Sequence, residues 1–151
     1  MPATHDHAVK VLNSLIETTL DSANGYREAA ENATNPQYRT MFQERATSRQ
    51  AIVTELQAEV RTFGGEPETD QSLLGKAHNK FVDLKNALTG GANDKSVIDE
   101  VERGEDFIKD KFEAATTDTD LPQTARDAVN RAYGQIKADH DEVSRLKHQL
   151  H

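Results

Sequence analysis

Apolar residues recur at helical spacing through almost the whole chain, and glycine and proline interrupt this pattern at only a few points. No stretch alternates apolar and polar residues for long enough to predict a strand. The interruptions are Asn35-Pro36, the sequence GGEP from Gly64, Gly90-Gly91 and the sequence TTDTDLP. They leave four long segments, at about 6–33, 37–63, 95–116 and 122–149, and a shorter one at about 71–88. We therefore predict five helices in an all-α chain.

The order and lengths of these segments predict the architecture. Two long helices, a connection that carries its own shorter helix and two further long helices describe a four-helix bundle with a long crossover connection. The 151 residues suffice for one domain with a real core and are too few for two. We expect residues 1–151 to form a single bundle domain.

Composition and charge exclude several classes of function. The chain has 18 Lys+Arg against 26 Asp+Glu and a net charge of −8, so we expect no binding to nucleic acid, which depends on neutralising phosphates. It has no cysteine, which excludes disulfides, thiolate metal sites and cysteine nucleophiles. It has no apolar run long enough for a membrane span, and its N-terminus lacks the layout of a signal peptide. We expect a cytoplasmic protein.

Polar residues interrupt the apolar stripe of each long helix near its middle. On helical wheels Arg49, Glu105 and His140 point inward from three helices, with Thr19 and Tyr26 as milder polar members from the first. Mid-helix positions of an antiparallel bundle meet at one level, and a buried charge needs a partner. We predict a core polar cluster of these five residues. In the alternative, one or more of the long side chains extends to the edge of the bundle.

The shorter predicted helix has its own apolar stripe, formed by Leu74, Ala77, Phe81, Leu84 and Leu88. His78 and Lys85 lie at the margin of that stripe, where a histidine more often sits at a rim than ligates a metal. This helix could pack against a second copy of the chain, so we expect a homo-oligomer. The sequence identifies no other protein partner.

Several motifs carry a family resemblance. The sequence LNSLIETTLDSANGYREAAENATNPQYRTMF resembles the opening helix of bacterioferritin- and rubrerythrin-like proteins, FGGEP resembles the turn that ends their second helix, and ADHDEVSRLKHQL resembles their last helix. Together with SLLGKAH, ERGED and HDEV, these motifs make nearly the whole chain similar to an uncharacterised bacterial family of ferritin-like four-helix-bundle proteins. The resemblance implies a ferritin-like bundle with a long crossover.

The resemblance also implies where di-iron ligands would fall. Ferritin-like di-iron proteins use a Glu from each of two helices and Glu-x-x-His from each of the other two. The first glutamate falls on Thr19 or on its outward-facing neighbours, and the second-helix pair falls on Arg49 and Ile52. On the last helix His140 matches the histidine, but Lys137 stands in place of the glutamate.

The remaining helix keeps one carboxylate of that set, on Glu105 or on the less inward Glu102. About two of six ligand positions therefore survive. The guanidinium of Arg49 would repel iron and neutralise the surviving carboxylate. The resemblance thus implies a degenerate di-iron site.

We expect a non-enzymatic ferritin-like bundle, with no catalytic residues and no cofactor, that acts through its surface or by self-association, with stress conditions as one setting. The alternative is a metal-binding protein or metalloenzyme in which Glu102, Glu105 and His140 hold one Fe, Mn or Zn ion, helped by Asp139 or His78. The sequence contains no motif for a hydrolase triad or for a phosphate-binding loop.

Overall fold

The computed structural model describes residues 3–70 and 93–150. These residues form four long helices: α1 (Ala3–Asn32), α2 (Pro36–Thr62), α3 (Asp94–Thr116) and α4 (Gln123–Leu150). The predicted all-α four-helix bundle is confirmed, and each helix begins and ends within a few residues of its predicted bounds. The predicted helix at about 71–88, with its apolar stripe, lies outside the described residues.

Contacts between the helix ends fix the directions of the helices. His7 at the start of α1 bonds Asp118 just beyond α3, whereas Thr34 just beyond α1 bonds Asp94 at the start of α3, so these two helices are antiparallel. Arg45 near the start of α2 reaches the last third of α4, so α2 and α4 are also antiparallel. Gly65, just after α2, lies against Val9 near the start of α1, so α2 is antiparallel to α1 and runs in the same direction as α3. The end of α2 and the start of α3 therefore lie at opposite ends of the bundle.

Local chemistry explains where the helices begin and end. The side chain of Asn35 accepts a hydrogen bond from the N–H of Gln37, and Pro36 occupies the first position of α2, where no donor is needed. Asn93 caps α3 in the same way. After α2, Gly64 has a φ of 79°, which glycine adopts without strain. A Cβ on Gly65 would lie 2.6 Å from a methyl group of Val9, so only glycine lets α1 approach this turn.

The core is formed by the apolar stripes that the wheels predict. Where polar residues interrupt these stripes, their side chains contact one another. The largest fully buried side chains include Tyr26, Phe42, Phe112, Leu12 and Ile136, and Arg49 is among them. At the C-terminal end of α4 the core ends before the helix does, because Leu150 is 36% exposed. In the described ranges, no helix combines the length and apolar character that crossing a membrane requires.

Candidate functional site

The centre of the bundle contains a buried ion pair between α2 and α3. Arg49 and Glu105 both have side chains with 0% exposure. Nη1 of Arg49 lies 2.8 Å from Oε1 of Glu105, and Nη2 donates to Oε2 at 2.9 Å. This two-point contact matches the planar guanidinium to the carboxylate, which is the strongest geometry for such a pair. The structure therefore brings together the two charges that the wheels place at one level.

A second ion pair, between Arg45 and Asp139, lies beside the first and contacts it. Asp139 of α4 accepts from Nη2 of Arg49 at 3.3 Å, and its other oxygen lies 3.4 Å from Nε of Arg45. Arg45 also donates to Glu142 at 3.0 Å, at the margin of the bundle. Two buried cations thus face two buried carboxylates.

Tyr26 of α1 joins the two ion pairs. Its hydroxyl donates to Oε1 of Glu105 at 2.6 Å and accepts from Nη1 of Arg45 at 3.3 Å. The guanidinium carbons of Arg45 and Arg49 lie 5.6 and 5.4 Å from the centre of its ring, within the range of a cation–π contact. We call the set Tyr26, Arg45, Arg49, Glu105 and Asp139 the core network.

Two hydroxyl side chains of α1 line the core network without extending it. Ser22 accepts from Nη1 of Arg49 at 2.8 Å. Thr19 is fully buried, but its hydroxyl donates to the carbonyl of Leu15 one turn earlier, at 2.7 Å. Nε of Arg49 is buried with no hydrogen-bond partner among the described residues. The hydroxyl of Thr19 is therefore satisfied by its own helix.

Burial and neighbouring charges set the protonation states of the core network. Burial lowers the pKa of Arg49, but the carboxylate of Glu105 outweighs this and raises it above its usual range. Burial raises the pKa of Tyr26 well above 10.0, and the negative charge of Glu105 raises it further. The network therefore holds charged arginines and a neutral phenol.

The raised pKa of Tyr26 predicts a distinct alkaline titration. The unfolded phenol ionises near its ordinary pKa of 10.0, whereas the folded one keeps its proton. Above that pH the unfolded state loses a proton that the folded state retains, so stability that is fully present below pH 10 falls as the pH rises. We expect Tyr26→Phe to leave the ultraviolet titration of the folded protein unchanged, because the phenol that it removes does not ionise before alkaline unfolding. A smaller titration signal in the folded Tyr26→Phe variant than in the wild type would contradict this.

The structure corrects the prediction for His140. Its ring lies outside the core network, with Nε2 2.5 Å from Asp106 and Nδ1 3.1 Å from Asp141. Its neighbour Asp139 turns inward instead. The two arginines require a second anion, and a histidine at this position would add no negative charge. Burial lowers the pKa of His140, but its hydrogen bonds to the two aspartates outweigh burial and raise it.

The alternative metal set of Glu102, Glu105 and His140 is also corrected. Both oxygens of Glu105 are engaged by Arg49, and one also accepts from Tyr26. Glu102 and His140 do share a face of the bundle, with Asp106 as their third neighbour. The other proposed helper, His78, lies outside the described residues.

The residues of the interior do not fit a di-iron centre of the kind that ferritin-like proteins hold. The four positions where ligands are missing carry Thr19, Arg49, a buried Ile52 and an exposed Lys137, which pairs with Asp141. The carboxylates that do reach the interior already bind guanidinium groups. No step of iron chemistry can therefore be assigned to this position.

Sequence reasoning missed Arg45, and it named Asp139 only as a possible helper in the alternative metal set. Arg45 precedes Arg49 by one helical turn and so lies on the same face. Asp139 lies three residues after Ile136, and His140 lies four after it, so both flank the same stripe. Periodicity cannot decide between them. Two inward arginines beside a single inward glutamate leave one positive charge unpaired, and this count would have indicated Asp139 rather than His140.

Solved structures of other proteins share this fold. A Dps1 mutant from Mycobacterium smegmatis superposes with a TM-score of 0.82 at 11% identity, covering 97% of this chain and 99% of that chain. A protein from Bacillus anthracis described as ferritin-like and diiron-carboxylate gives 0.74 at 12% identity, with 97% and 99% covered. A Dps protein from Vibrio cholerae, described as a member of the ferritin-like diiron-carboxylate superfamily, gives 0.71 at 14%, with 95% and 90% covered. These likenesses establish a ferritin-like fold.

The sequence comparisons give the family. No curated protein matches this sequence. A family model described as a domain of unknown function, DUF2383, matches residues 7–118, which include most of α1 and all of α2 and α3, with Tyr26, Arg49 and Glu105. The chain is therefore a member of the DUF2383 family with a ferritin-like four-helix-bundle fold.

Proposed function

We propose that this protein is a non-enzymatic ferritin-like bundle in which the core network stands where related folds place metals. The observation that carries the proposal is the full burial of Arg49 in two-point contact with Glu105. A permanent cation at the centre of the bundle disfavours a second cation there. It also saturates the carboxylate that a metal would need.

The role of the core network in this proposal is structural. A buried ion pair adds little net stability over an apolar core of the same shape, because both charges lose their hydration. It does raise the free energy of every alignment of the helices in which the charges are separated. The network connects α1, α2, α3 and α4 through Tyr26, Arg49, Glu105 and Asp139. It therefore favours one alignment of the four helices.

The proposed activity lies in the surface of the bundle and in self-association, including under stress conditions. Within residues 5–70 and 93–150, Leu150 is the large apolar side chain that is exposed. The sequence between the described ranges carries Leu74, Phe81 and Leu84 at helical spacing, which suits contact with a second copy. The acidic charge of −8 argues against nucleic acid as the partner. Sedimentation velocity tests the self-association.

Anaerobic reconstitution with Fe(II) tests the absence of a di-iron centre. We expect no pair of irons per chain to bind at micromolar affinity, because the positive charges of Arg49 and Arg45 occupy the position where the irons would lie. The measurement is equilibrium dialysis with elemental analysis, followed by the absorption spectrum after oxygen is admitted. Two irons per chain with the spectrum of an oxo-bridged pair would overturn the proposal.

A further inference from the structure

The outer face of α3 and α4 holds a second polar cluster, separate from the core network. Glu102 and Asp106 lie one turn apart on α3, and His140 faces them from α4. One ligand atom from each lies within 4.8 Å of the others. The shortest of these separations, 2.5 Å, joins Nε2 of His140 to Oδ1 of Asp106.

We propose that Glu102, Asp106 and His140 bind one divalent first-row transition-metal ion, which we call the outer site. One imidazole and two carboxylates are a ligand set that suits zinc, iron(II) and manganese(II). The two carboxylates balance the charge of a divalent ion. This inference does not depend on the proposed function, because the core network shares none of these three residues.

The exposures of the three side chains suit a metal site that is held firmly yet open to solvent. The side chains of Glu102 and His140 are only 14% exposed, whereas that of Asp106 is 52% exposed. Ligand atoms around a tetrahedral ion lie about 3.4 Å apart, given bonds of about 2.1 Å. The flexible side chain of Glu102 can close the remaining distance by changing rotamer. Three protein ligands leave at least one position on the ion for water or another small ligand.

Asp141 contacts His140 on the side away from the other two ligands, as carboxylates commonly do with histidines that bind metals. Its Oδ1 lies 3.1 Å from Nδ1 of His140. A carboxylate on one ring nitrogen fixes the tautomer and directs the other nitrogen at the metal. Here the other nitrogen, Nε2, already faces Asp106. The ring is therefore oriented before any ion arrives.

Lys147 competes with the ion. Its Nζ lies 3.4 Å from Oε1 of Glu102, so in the metal-free protein an ammonium group partly neutralises the site. A divalent ion must displace this contact and the hydrogen bond between His140 and Asp106. Removing the charge of Lys147 should therefore tighten metal binding, which no purely structural role of Glu102 would predict.

The test is calorimetric titration of chelator-treated full-length protein with Zn²⁺. We expect one ion per chain to bind in the wild type, and Asp106→Asn and His140→Gln each to weaken this binding at least about tenfold. Asp141→Asn should weaken it by about tenfold as well, since the ring loses its orientation. Lys147→Met should tighten it several-fold.

The matched control is His7→Gln, which removes a histidine from the other group with metal-ligand geometry among the described residues, formed with Asp118 and Asp120. We expect this variant to bind Zn²⁺ at the outer site as the wild type does. Circular dichroism of each metal-free variant checks that the helices are retained. Equal binding by wild type and His140→Gln would overturn the proposal, as would loss of the bound ion in His7→Gln alone.

Discussion

Replacing Glu105 with alanine is expected to lower the free energy of unfolding by about 3–5 kcal/mol, the largest stability effect of any single change considered. The variant leaves the guanidinium of Arg49 at the centre of the bundle without the carboxylate that contacts it at two points. Asp139, at 3.3 Å, is a weaker substitute that is already shared with Arg45. Tyr26 loses its acceptor at the same time. Urea denaturation followed by circular dichroism measures the change.

Two control variants separate the loss of the ion pair from the loss of side-chain volume. Glu55→Ala removes the partner of Arg131 in an exposed pair, and we expect its unfolding transition to match that of the wild type within error. Arg49→Met combined with Glu105→Leu replaces both buried charges by apolar groups and should recover much of the stability lost in Glu105→Ala. A loss below about 1 kcal/mol in Glu105→Ala would mean that water solvates Arg49 in the native state.

The fold could be predicted from the sequence because its signals are local and repeated. Apolar residues at helical spacing mark each stripe over six or more turns, and Asn35-Pro36 and Gly64 end the segments by backbone chemistry alone. Four such helices with one long connection have few ways to bury their stripes together. Errors of up to three residues at the helix ends do not change which face is apolar.

The candidate sites were harder to predict because they depend on which of two adjacent residues turns inward. Asp139 and His140 border the same stripe, and the choice rests on the charge of residues on other helices, Arg45 and Arg49. The outer site depends likewise on α3 and α4 facing each other at one register, which places Asp106 beside His140. A single sequence indicates that a polar residue is near the core. It does not supply the neighbours that decide its direction.

The second large effect expected is a gain of metal binding in the Arg49→Glu variant. This change replaces the central cation by a carboxylate beside Glu105 and Asp139, so three acidic side chains would converge in a buried space. Like charges at this separation are costly, and without metal we expect the variant to be less stable than the wild type. Manganese(II) would relieve the repulsion, and at 100 times its dissociation constant it would raise the free energy of unfolding by about 2.7 kcal/mol.

The response to metal separates this prediction from simple destabilisation. Arg49→Met removes the same cation without adding a ligand, so its thermal unfolding should not respond to manganese(II). Both variants are made in a His140→Gln background, so that the outer site does not contribute. An absence of response in both variants would show that Arg45, which still faces Asp139, keeps metal out of the bundle. A response confined to Arg49→Glu would show that the positive charge of Arg49 is what prevents metal from binding in this interior.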